Sequence, residues 1–152
     1  MSETLSAPGP PGEKPRTVRE IMHRDFVSVA ADETLDEALS IMRLARLRHL
    51  PVERDGYLVG ILSYRDLQDQ ALARQTDRSK PEERELGGLA VEQAMMDSPY
   101  VISPETPLSI AASRIYRLRI GCLPVVERSD RGPQLVGLVT ESDLLRAAYP
   151  AP

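Results

Sequence analysis

Two short stretches hold the residues best suited to chemistry: Ser63-x-x-Asp66 and Thr140-x-x-Asp143, each a hydroxyl three residues ahead of a carboxylate. Each pair follows a short apolar run that carries a glycine, Leu58 to Leu62 or Leu135 to Val139, and runs into an apolar-periodic helix start. Two chemistries fit that arrangement. As a capping box, the hydroxyl caps the helix and the acid at the third helical position closes the box, worth ~1 kcal/mol. As a ligand site, the helix N-terminus offers free N–H groups to a phosphate, and the acid can accept both hydroxyls of a ribose. Both can hold at once.

Other reactive residue types are sparse. The single cysteine, Cys122, permits no internal disulfide, and His23 and His49 have no cysteine cluster around them, so no zinc spacing is present. His49 reads as a partly buried structural histidine and Cys122 as a small buried hydrophobe. There is no Walker loop, no G-x-S-x-G elbow and no H-E-x-x-H, and the two aspartates belong to separate motifs rather than a facing acid–base pair. The expectation is a protein that is not an enzyme and holds no metal or cofactor.

The duplication of the motif extends through the chain. At an offset of 73 residues, Val18 meets Val91, Met22 meets Met95, Leu35 meets Leu108, and Leu50-Pro51-Val52 meets Leu123-Pro124-Val125. The offset then becomes 77, aligning Leu58-Val59-Gly60 with Leu135-Val136-Gly137 and Asp66-Leu67 with Asp143-Leu144. Four residues are thus inserted between the matched blocks, and they are expected in a turn. Such a repeat implies a pseudo-symmetric pair.

The elements that must position the motifs follow from pattern. Thr17-Val-Arg-Glu20 is a capping box opening a short helix to about Met22, with Val91 to Met96 its counterpart. Val27–Val29 and Tyr100–Ile102 read as short strands. Thr34-Leu-Asp-Glu37 caps a helix whose stripe is Leu35, Ala38, Leu39, Met42 and Leu47; Thr106-Pro107 puts proline at the first position of its twin, with stripe Leu108, Ala111, Ala112, Ile115 and Leu118. In the strands His49–Val52 and Cys122–Val126 the proline should mark a start or an unpaired edge, leaving backbone for a ligand. Asp55-Gly56 signals a tight hairpin, and 129–133 spans the same connection in the second copy. Each half reads helix, strand, helix, strand, strand, helix. The boundaries are a disordered proline-rich tail over 1–16, repeats over 17–74 and 89–148, and a polar linker over 75–88.

Composition sets limits. With 41% hydrophobic and 28% charged residues and no apolar run near the ~18 a membrane span needs, the chain reads as soluble, globular and cytoplasmic. A net charge of −4 argues against a nucleic-acid partner. The basic residues are 17 arginines against two lysines, and arginine can grip a phosphate bidentately at a local site.

Over roughly Thr17 to Ala148 the chain resembles a tandem pair of cystathionine beta-synthase (CBS) domains, a Bateman module, with every motif present twice and in order. The resemblance implies an α/β fold of the α+β type, two pseudo-symmetric repeats packed sheet to sheet, each a short helix followed by β-α-β-β-α. It also implies a regulatory module that senses an adenosine-containing nucleotide in the cleft between the repeats and transmits this to an unidentified protein partner. In that family the hydroxyl and acid contact phosphate and ribose, and residues around the Leu-Pro-Val strand surround adenine. One pocket would therefore use Ser63, Asp66, Ile61, Arg48 and His49 with Tyr100 and Ile120. The other would use Thr140, Asp143, Leu138, Gly121 and Cys122 with Val27, Leu47 and Arg48. Because Gly121 and Cys122 replace Arg48 and His49, the second pocket offers less charge to a polyphosphate. The alternative is a homodimerisation module without a ligand, whose motifs are only helix caps; a homodimer is expected on either reading.

Overall fold

The computed structural model describes residues 14–76 and 88–151. Most of the proposed linker and most of the proposed tail therefore lie outside the described residues. The chain divides into two compact units, one of 27–99 with 128–134, the other of 1–26 with 100–127 and 135–152.

In the unit that contains Val27–Pro99, strand β1 (Val29–Ala30) runs parallel to β2 (His49–Arg54), which pairs antiparallel with β3 (Tyr57–Ser63). Helix α1 (Leu35–Ala45) joins β1 to β2, and α2 (Tyr64–Thr76) follows β3 directly. Thr34 caps α1 by accepting from the Glu37 N–H at 3.2 Å. The reciprocal half of the expected box is not made: Glu33, not Glu37, takes the Thr34 N–H. The α1 stripe buries Leu35, Ala38 and Met42 against Val29, Leu50, Val52, Leu62 and Leu67. Asp55 and Gly56 both have positive φ, 54° and 84°, which is the primed turn that suits strand twist.

A segment of the second sequence repeat completes this core. Val91, fully buried, belongs to the cluster, and its N–H donates to the Glu33 carbonyl at 2.7 Å. Strand β4 (Met96–Asp97) then pairs antiparallel with Gly60 and Ile61 of β3. The approach is close enough that a Cβ on Gly60 would overlap Met95 Sδ and lie 2.9 Å from the Met96 carbonyl oxygen, so only glycine fits.

The other unit mirrors this plan. Helix α3 (Leu108–Leu118) precedes the hairpin of β5 (Cys122–Ser129) and β6 (Gly132–Thr140), and α4 (Glu141–Ala148) follows. Here the segment that completes the core comes from the first repeat. Val18 is fully buried with Ile102, Ala111, Ile115, Leu123, Val125 and Val139, and its N–H donates to the Thr106 carbonyl at 3.0 Å. His23 pairs with Leu138 in both directions, at 2.8 and 3.0 Å. Gly137 makes room for it, since a Cβ there would lie 2.9 Å from Met22 Sδ and 3.0 Å from the His23 carbonyl oxygen. The two leading segments are thus exchanged: each completes the core of the opposite repeat.

Several expectations are corrected. The leading segments form only single 3-10 turns, Val18–Glu20 and Val91–Gln93, and Met96 lies in a strand instead of a helix. Backbone bonds to neighbouring loops take the donors a longer helix would use. The strand at 27–29 starts only at Val29, and Ile102 makes an isolated parallel bridge to Val125. Pro107 is the N-cap of α3 (φ −60°, ψ 143°), one position earlier than expected. Ala112 is exposed, on the side of α3 away from the core. Pro51 and Pro124 are third in their strands, and the Pro124 carbonyl accepts from the Ile102 N–H at 3.1 Å, so it is not left for a ligand. The four inserted residues do not lengthen the turn. β5 and β6 are 8 and 9 residues against 6 and 7 for β2 and β3, so each strand gains two and the turn Asp130–Arg131 stays short.

Candidate ligand-binding site

Both hydroxyl–acid pairs stand where the pattern put them, at the junction of a strand with a helix. Ser63 ends β3; its Oγ accepts from the Asp66 N–H at 3.0 Å, and Asp66 Oδ2 accepts from the Ser63 N–H at 2.8 Å. Thr140 and Asp143 make the same reciprocal pair at 3.2 and 2.8 Å. The capping reading therefore holds for both. It uses one carboxylate oxygen of each aspartate, and the two motifs differ in what happens to the other.

In the first motif Oδ1 of Asp66 has no hydrogen-bond partner among the described residues, and the side chain is half-buried. The residues beside it come from the stretch after α1. That helix ends with Arg46 in the left-handed region (φ 55°, ψ 43°), which turns the chain so that the Leu47 N–H returns to the Met42 carbonyl. Arg48 then accepts the Tyr64 N–H at 2.7 Å, tying the start of β2 to the start of α2, and His49 pairs in register with Ser63. Burial pushes the His49 pKa down and Arg48 adds to it, outweighing the pull of Asp66, so the ring is neutral near pH 7. Arg48 is exposed, Leu47 half-buried, Ile61 buried and paired with Pro51 and Met96, and Val27 40% exposed.

In the second motif Asp143 is the one buried charged residue among those described, and its side chain is 3% exposed. His23 Nε2 lies 2.6 Å and Arg146 Nη2 2.5 Å from Oδ1. Burial pushes the Asp143 carboxyl up, but the Thr140 N–H, His23, the Thr140 hydroxyl and Arg146 together outweigh it and hold it below the usual carboxylate range. The helix start is tied as in the other unit, the Glu141 N–H donating to the Gly121 carbonyl at 3.1 Å. Cys122 is buried and its thiol is pushed up to about 12, chiefly by burial, so it carries no thiolate reactivity. Ile120, Gly121 and Leu138 are half-buried and Tyr100 is 53% exposed.

One unit thus assembles Val27, Leu47, Arg48, His49, Ile61, Ser63 and Asp66, and the other Tyr100, Ile120, Gly121, Cys122, Leu138, Thr140 and Asp143. Cavities lie on the helical faces of each: about 310 Å³ lined by Met42, Arg43, Arg46, Leu47, Arg48 and Tyr64, and about 710 Å³ between α3 and α4, where Ile120 and Gly121 reach the wall. Neither is lined by a motif hydroxyl or acid. Sequence reasoning missed His23 and Arg146. Aligned on the repeat, Met96 stands opposite His23 and Asp69 opposite Arg146, which marks both positions as different between the halves without showing that they touch Asp143.

The CBS domain family model matches residues 18–72 and 91–149, most of the chain. The chain belongs to the CBS domain family. A CBS domain-containing protein of Dictyostelium discoideum is 32% identical over 132 residues, covering 84% of this chain and 88% of that protein. The fold is similar to that of the crystal structure of CBSX2 in complex with AMP, with a TM-score of 0.73, 30% identity, and coverage of 88% of this chain and 96% of that one. Inosine-5′-monophosphate dehydrogenase of Korarchaeum cryptofilum is 31% identical over 128 residues, but these are only 23% of its length, so that enzyme shares a CBS pair and not the remainder. Among the described residues no group of three or more His, Cys, Asp or Glu could hold a metal ion, and no helix is long and apolar enough to cross a membrane.

Proposed function

We propose that this CBS pair is a regulatory module that binds an adenosine-containing nucleotide at the Ser63–Asp66 motif and passes the bound state to a protein partner. The observation that carries the reading is the open oxygen of Asp66. At a helix start, beside Arg48 and His49, a half-buried carboxylate keeps its capping bond and still has acceptor capacity for ribose hydroxyls. The AMP complex of a relative that is 30% identical supports the ligand class. Nothing in the motifs supplies a nucleophile or an acid–base pair, which supports binding without catalysis.

Thermal shift and calorimetry with adenosine, AMP, ADP and ATP test this. A ligand at a hundred times its Kd stabilises by ~2.7 kcal/mol, and each kcal/mol moves the Tm of a chain this size by ~2–4 °C. The wild type should shift by several degrees and Asp66→Ala hardly at all, since a charge-assisted bond lost from the site costs ~1.5–3 kcal/mol. No shift with any of the four ligands refutes the reading.

A second reading, homodimerisation, is favoured by apolar side chains on the helices: Ile110 (44% exposed), Tyr116 (84%) and Leu145 (55%) in one unit, Leu44 (87%) in the other. It is compatible with the first. Sedimentation at micromolar concentration giving only a 16.9 kDa species would dismiss it.

A further inference from the structure

We infer that His23 and Arg146 occupy the second hydroxyl–acid motif in place of a ligand, so that the chain takes one nucleotide rather than two. The inference rests on the proposed function and adds two positioning residues to it. A carboxylate oxygen accepts two hydrogen bonds in the plane of its lone pairs. Asp143 Oδ1 has both filled, by His23 Nε2 at 2.6 Å and Arg146 Nη2 at 2.5 Å, while Oδ2 takes the Thr140 N–H at 2.8 Å. A ribose would have to displace a charged donor from a carboxylate that is 3% exposed. A sugar hydroxyl on this carboxylate is charge-assisted on the acceptor side only, whereas the Arg146 guanidinium brings a full positive charge as well and already holds Oδ1. Exchange for a ribose therefore loses an ion pair that a hydroxyl does not replace.

His23 is held in place by more than the aspartate. Its backbone pairs with Leu138, the segment is pinned by buried Val18, and Gly137 has no side chain in the way. Arg146 comes from the same helix as Asp143, one turn on, and is 70% exposed, so it guards the acid from the solvent side. The first motif has none of this: methionine and aspartate stand at the two matching positions, Met96 and Asp69, and Asp66 Oδ1 is open.

The test is the number of AMP molecules bound per chain, by calorimetry, in the wild type, Asp143→Asn, and a double variant carrying His23→Met and Arg146→Asp. One per chain is expected in the wild type. Asp143→Asn loses stability but not the Ser63–Asp66 motif, so in protein shown to be folded it should leave both number and affinity unchanged. The folded double variant should bind two, and restoring a donor as His23→Gln with Arg146 intact should return the count to one. Two molecules bound by the wild type, a count lowered in Asp143→Asn, or a count of one in a folded double variant each overturns the inference while leaving the proposed function standing. No binding to the wild type refutes the proposed function; if the double variant then gains a site, the block by His23 and Arg146 is upheld alone, and if it does not, both fail.

Discussion

Asp143 and His49 titrate in opposite senses against burial, and each leaves a measurable trace. Asp143 ionises more easily in the folded chain than in the unfolded one. Its stabilising contribution is therefore complete above the unfolded carboxyl pKa of about 3.9 and is lost as pH falls through the lower folded value. Urea midpoints for wild type and Asp143→Asn should differ most at neutral pH, by about 1.5–3 kcal/mol, and converge in strong acid. His49 is held neutral, its folded pKa below that of the free side chain. Its contribution is present above the unfolded pKa of about 6.5 and fades as pH falls through the folded value, so His49→Gln should flatten the stability profile on the acid side of neutrality. A phosphate bound beside His49 reverses the preference and favours the charged ring. Nucleotide affinity should then rise as pH falls from neutrality, with proton uptake seen as a buffer-dependent binding enthalpy; a pH-independent affinity would place the phosphate away from His49.

At the scale of elements, the glycines of β3 and β6 and the ends of α1 and α3 are the sensitive points. Gly60→Ala and Gly137→Ala force a Cβ against backbone carbonyl oxygens at 2.9 and 3.0 Å. Overpacking of this kind costs about 1–3 kcal/mol, and melting temperatures should fall by several degrees, Gly60 by more. The helix ends invite the opposite change. Arg46 and Arg119 stand in the left-handed region, where a Cβ costs roughly 1–2 kcal/mol. Arg119→Gly should raise stability by about 1 kcal/mol after glycine's own entropic cost, read as a higher urea midpoint. These points separate what was legible in the chain from what was not. The strand–hairpin–helix unit, its capping boxes and both glycines followed from alternation and from the match of one half to the other. The arginine helix ends did not, because arginine gives no signal for that conformation. The His23 contact did not either: it spans 120 residues, and repeat alignment shows which residues are equivalent, not which ones touch.

For the molecule as a whole, the sequence repeat and the compact unit are different objects. Val18 is fully buried among residues of the second repeat and Val91 among those of the first. Burying a valine contributes about 1.5–3 kcal/mol, and the Arg16 carbonyl also receives the first N–H of α3 at 3.0 Å. Deleting the chain through Ile21 should therefore weaken the distant half. Hydrogen exchange should speed up in α3, β5 and β6 while α1, β2 and β3 keep their protection; loss confined to residues near the cut would contradict the exchange of segments. The same exchange imposes an order on synthesis. A ribosome releases Val18 and Met22 long before Val139, and at ~5–20 residues per second the wait is on the order of 5–25 s. Throughout it the leading segment is an apolar strip without its groove, whereas the core that Val91 completes is drawn from residues 29–91 and has its closing segment as soon as these are made. The half that comes first in the order of repeats can thus close early, while Val18 and Met22 are made before it and covered after it, which makes them a stretch a chaperone would meet.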